Sequence, residues 1–71
     1  MKIEMNNVDI LLPKEKNEVK RTLVLEENGE YLQINFRDSN NNEIGGISLT
    51  KQQMTLLRDN LNTYIKNKLI E

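Results

Sequence analysis

The chain has 71 residues, ten Lys plus Arg against eleven Asp plus Glu for a net charge of −1, and no cysteine, histidine or tryptophan. A chain this short forms one domain near the lower limit of independent stability, where dimerisation commonly supplies the missing burial. The composition excludes a disulfide framework, a thiolate nucleophile and a Cys-ligated zinc site, and gives no overall field towards nucleic acid or an anionic membrane.

In Lys2 to Leu12, Ile3 and Met5 and then Val8, Ile10 and Leu12 are each spaced by two, and the alternation breaks at Asn6-Asn7. This predicts an N-terminal strand over 1–12, either one edge strand with a central irregularity or two short pieces. Pro13 stops it, and 13–18 reads as a linker with nothing to bury.

Two alternating runs in Val19 to Arg37 flank Asn28-Gly29, the pair suited to the positive φ values of a type I′ turn. A turn centred there sets Leu25 opposite Leu32, Leu23 opposite Ile34 and Arg21 opposite Phe36 on a core face. Arg21 is then placed to stack on Phe36. The other face pairs Glu26 with Tyr31, Val24 with Gln33, Thr22 with Asn35 and Lys20 with Arg37, and is mostly polar and open.

Asp38 to Glu43 is a polar loop, and Ile44, Ile47 and Leu49 mark a third main strand that pairs with Leu32–Arg37. Gly45-Gly46 interrupts its alternation, which fits a β-bulge or a close backbone approach. Thr50 caps a helix, with Gln53 for the reciprocal bond and Leu49 and Met54 as the staple. Met54, Leu57, Leu61, Tyr64 or Ile65, and Leu69 form an apolar stripe that covers one sheet face, so the helix runs from Lys51 to about Lys68. Lys66 and Lys68 complement the helix dipole. Leu56 and Ile70 fall off the stripe and are candidate subunit contacts.

The expected fold is a single α+β domain over 1–71: strand 1–12, linker 13–18, meander 19–49 and helix 50–70. About four antiparallel strands form a small meander sheet with one C-terminal amphipathic helix packed across one face, ββββα, and the molecule is a homodimer. Met1–Leu12 has neither the charged start nor the apolar middle of a signal peptide, and no apolar run reaches membrane-spanning length. The expected location is cytoplasmic, in the protein's own cell or a host. Eleven asparagines and no alanine reflect AT-rich codon usage, as in a low-GC bacterium or its phage.

No catalytic set, metal site or cofactor is expected. Asp38, Asn40 and Asn42 alternate as calcium ligands do, but Glu43 stands where such a loop needs glycine and Leu49 where it needs glutamate. Glu26, Glu27 and Glu30 cluster at a wet hairpin tip with no source for the pKa shift that acid–base catalysis requires. Ser39 and Ser48 lack a histidine base. The open sheet face is the better candidate. Lys20 and Arg37 suit phosphates, Tyr31 suits base stacking, and Gln33 and Asn35 suit base edges. A one-sided sheet shows polar alternation in any case.

The meander, followed by Gly46-Ile47-Ser48-Leu49-Thr50 and a capped helix with Gln53 and Leu57, resembles the single-stranded-DNA-binding domain of the positive-cofactor-four transcriptional coactivators. The likeness spans about Arg21 to Leu69 and includes Gly29 at the turn and the Ile34-Asn35-Phe36-Arg37 strand ending. It implies a ββββα subunit, a dimer formed largely through the helices, and a strand of nucleic acid lying across Lys20, Tyr31 and Arg37 with Gln33 and Asn35 beside them. Gly45 stands where that family usually carries a lysine and Met54 where it has a tryptophan. Fewer cations imply weak affinity. The first expectation is therefore a non-catalytic single-stranded nucleic-acid-binding module. The alternative is a small phage or mobile-element protein that binds and inhibits a host protein through the sheet face, an exposed edge or the helix end.

Overall fold

The structure, a computed structural model, describes the backbone of residues 1–70 and the side chains of residues 1–68. It contains β1 (Lys2–Ile10), β2 (Val19–Asn28), β3 (Tyr31–Arg37), β4 (Glu43–Leu49) and α1 (Lys51–Ile70). The strands form one antiparallel sheet in the order β1-β2-β3-β4, so the molecule has the expected α+β, ββββα architecture.

The break in β1 is a bulge. Met5 lies opposite Leu23 but Val8 lies opposite Arg21, leaving an extra residue in β1. Asn7 absorbs it at φ 60°, a conformation that asparagine tolerates better than most residues. The extra residue converts the odd-numbered alternation of Ile3 and Met5 into the even-numbered one of Val8 and Ile10. All four therefore fall on the face that carries Leu23 and Leu25.

The β2–β3 turn sits one residue later than expected. Asn28 pairs with Tyr31, so Gly29 and Glu30 are the central residues, and Gly29 takes the positive φ of 64°. A single positive φ at the first central position is the pattern of a type II′ turn, which needs glycine there, whereas type I′ needs two positive values. Moving the turn by one shifts the pairing by two, so both faces keep their residues while the partners change. Leu23 now faces Phe36 and Leu25 faces Ile34. Arg37 faces Thr22 in place of Lys20, and Lys20 faces Asp9 of β1.

Arg21, freed from Phe36, binds the segment after Pro13. Its Nη1 donates to Ile10 O at 2.9 Å and Glu15 Oε1 at 2.7 Å, and its Nη2 donates to Glu15 Oε2. Two charge-assisted bonds in fork geometry outweigh one stacking contact. The linker is thus anchored, with Glu15 N donating to Leu12 O at 3.1 Å to close a turn.

In β4 the extra residue is Ile44, since Phe36 pairs with Gly45 and Arg37 with Glu43. The cap of α1 forms as the sequence predicts: Thr50 N donates to Gln53 Oε1 at 2.9 Å and Gln53 N to Thr50 Oγ1 at 3.2 Å. The helix leaves β4 on the Leu23/Leu25 side but meets only β3 and β4. Met54 is half-buried, whereas Leu61 and Ile65 remain 50% and 53% exposed. Between helix and sheet runs an open groove of about 600 Å³, lined by Met5, Leu23, Leu25, Leu32 and Ile34 below and Met54, Leu57, Leu61 and Ile65 above. Val24 and Ile34 are the buried apolar residues among those described.

Candidate functional site

The polar face of the sheet, opposite the groove, is built around β3. Alternation along that strand sends Tyr31, Gln33, Asn35 and Arg37 to one side, with Lys20, Thr22, Val24 and Glu26 of β2 beside them and Gly46 and Ser48 of β4 on the other flank. Four of the five candidate residues therefore stand in one row on β3. Lys20 lies on the same face but is drawn to the β1 edge, where its Nζ is 2.6 Å from Asp9 Oδ1.

The face is not uniformly open. Val24 is fully buried among its neighbours, and Asn35 is only 7% exposed. The alternation pattern assigns both to solvent. What it misses at Asn35 is the glycine at 46: an added Cβ there would stand 2.5 Å from Asn35 Oδ1 and 2.9 Å from Ile34 O. The Asn35 amide lies across that gap, and its Oδ1 has no hydrogen-bond partner. Gln33 accepts from Asn28 Nδ2 at 3.2 Å, and Thr22 Oγ1 donates to Asn6 Oδ1 at 3.0 Å.

At one end of the row Tyr31 is half exposed and lines an open cleft of about 700 Å³ with Glu30, Thr50, Lys51, Gln52 and Met54. At the other end Arg37 is half-buried. Its Nη1 donates to Asn41 Oδ1 at 3.3 Å, and its Nε is buried without a partner.

The remaining acidic groups are in structural use or in water. Asp38 Oδ1 accepts from the amides of Asn40 and Asn42 at 2.9 Å each, closing the β3–β4 loop on itself. Among the described residues no group of three or more metal-ligating side chains converges. Glu27 and Glu30 are exposed at the hairpin tip. Glu15 has its pKa lowered from 4.5 to about 2, chiefly by the Arg21 hydrogen bonds and then by the Leu12 amide, whose N donates to Oε1 at 2.9 Å. The same pairing raises the Arg21 pKa.

Of the candidate subunit contacts, Leu56 is 64% exposed on α1, and the Ile70 side chain lies outside the described residues. The sequence does not single out the groove, although the apolar residues lining its upper wall all lie in the predicted stripe. No helix among the described residues is long and apolar enough to cross a membrane. Comparison with protein-family models, with curated proteins and with solved structures gives no match to this chain.

Proposed function

We propose that the chain is a non-catalytic binding module that works as a homodimer and offers the polar row of β3 to single-stranded nucleic acid. The observation that carries the ligand is the row itself. Tyr31, Gln33, Asn35 and Arg37 combine an aromatic ring, two amides and a guanidinium on one strand, the groups that stack, read and neutralise an extended strand. The face lies opposite the groove, so binding and self-association do not compete. Both are expected in the cytoplasm, of the protein's own cell or of a host.

The homodimer is supported by area. The chain exposes 6052 Å², whereas a folded monomer of 8.3 kDa exposes about 4,600 Å². Doubling that excess gives about 2,900 Å², within the roughly 2,000–5,000 Å² that obligate homodimers bury. A second copy of α1 supplies apolar side chains of the kind the groove leaves unmatched.

Fluorescence anisotropy with a labelled oligonucleotide at low salt tests the ligand. Binding tighter than the millimolar range, weakened by Arg37→Ala and by Tyr31→Ala, is the expected result. Absence of such binding removes it.

A second reading is favoured by the charge balance of the face, where Lys20 pairs with Asp9 and Lys2 with Glu4. A neutral surface beside β4, an edge with no charge from Ile44 to Leu49, suits a protein partner added along that edge. The protein is then a phage or mobile-element inhibitor of a host factor. Affinity capture from host lysate addresses it: one specific protein, lost when Ser48→Pro blocks the edge, is expected, and none argues against it.

A further inference from the structure

We infer that this face recognises a strand through its unpaired bases rather than through its phosphates, an inference that rests on the single-strand reading above. A phosphate chain is held by cations that are not already neutralised, and each contact releases counterions. On this face Lys20 Nζ stands 2.6 Å from Asp9 Oδ1 and Lys2 Nζ stands 3.7 Å from Glu4 Oε1. Either lysine must exchange a carboxylate for a phosphate, which leaves little net gain. Glu26, opposite Lys2, adds a further negative charge. Among the described residues Arg37 is the one cation of the face with no carboxylate at salt-bridge distance. One such cation answers to one phosphate.

Amides are what the face holds in quantity. Asn35 is more than nine-tenths buried and its Oδ1 has no partner. It rests where only a glycine at 46 leaves room, since a Cβ would come within 2.5 Å of Oδ1. A buried amide oxygen left unpaired is costly, so a ligand that drew the amide outward and paired both its donor and its acceptor would relieve that cost. Paired donor and acceptor groups complement base edges, adenine above all. The Tyr31 ring at the end of the row stacks on any base. Gly46 is thus a positioning residue for Asn35.

The experiment is anisotropy on the full chain with two labelled strands of equal length, an oligodeoxynucleotide and an abasic strand with the same sugar–phosphate chain. The base-bearing strand is expected to bind about tenfold tighter or more. Its association constant is expected to fall with salt at a logarithmic slope of about −0.7, that of one phosphate on a single strand, in place of the strong dependence of a cationic face. Asp9→Asn, which releases Lys20, is expected to steepen the slope by about 0.7. Equal binding of the two strands, or a wild-type slope of about −2 or steeper, overturns the inference and leaves the single-strand reading standing. Failure of both strands to bind removes both.

Discussion

Glu15 and Arg21 form a two-pronged ion pair across the β1–β2 connection, with Arg21 Nη1 donating to Oε1 at 2.7 Å and Nη2 to Oε2. The Glu15 pKa, lowered to about 2 from 4.5, makes the pair acid-sensitive in a defined window. Its contribution is complete above about pH 4.5 and disappears as pH falls through about 2. Glu15→Gln is therefore expected to lower stability at neutral pH and to flatten the acid limb of stability between those values. Denaturant unfolding followed by circular dichroism across pH 2 to 7 checks it.

Gly45 and Gly46 are adjacent but differ in what they tolerate. A Cβ on Gly46 meets Asn35 Oδ1 and the Ile34 backbone oxygen, whereas one on Gly45 meets only the Phe36 side chain at 3.5 Å. Gly46→Ala is expected to cost about 1–3 kcal/mol. Gly45→Ala is expected to be neutral or stabilising by about 0.4–1 kcal/mol. Paired unfolding curves for the two variants give the contrast, and equal effects would contradict the close approach at 46.

The Thr50 cap sits where β4 turns into α1, so its loss frays the start of the helix. Thr50→Ala is expected to cost about 1 kcal/mol and Thr50→Asp much less. For a domain of this size 1 kcal/mol corresponds to about 4–8 °C in Tm. Thermal unfolding of both variants measures the difference.

Leu57 and Leu61 line the upper wall of the groove and remain 40% and 50% exposed. About half of the roughly 1.5–3 kcal/mol for full burial of a Leu is left for the proposed dimer at each position, and replacing each by Ser removes it. Sedimentation is expected to show the wild type as a dimer and the double variant as a monomer. The Tm of the wild type should also rise with concentration, and that of the variant should not.

Much of the fold is legible in the sequence because each element carries its own signal. Thr50 and Gln53 announce a cap, Val19–Arg37 alternates around a glycine turn, and Asn6-Asn7 marks where β1 breaks. The pairing partners were less legible, since Asn28-Gly29 and Gly29-Glu30 are both workable turn centres and the choice depends on backbone angles. The even shift this produces explains why the faces survived. Periodicity also assigns Val24 and Asn35 to solvent; at Asn35 the side chain lies where Gly46, on a strand distant in sequence, carries none. Glu15 was hidden in a polar run that nothing local distinguishes. For the candidate site, the β3 row was readable, but the neutralisation of Lys20 by Asp9 required the β1 register, which the bulge sets.

The strand order β1-β2-β3-β4 follows the chain, and the intervening segments 11–18, 29–30 and 38–42 are short. Every ladder can therefore close soon after its second strand is synthesised, at little loop entropy and with no distant stretch to await. Sheet formation is then a first-order event within one molecule. Any refolding phase whose rate scales with protein concentration belongs to the helix and its groove alone.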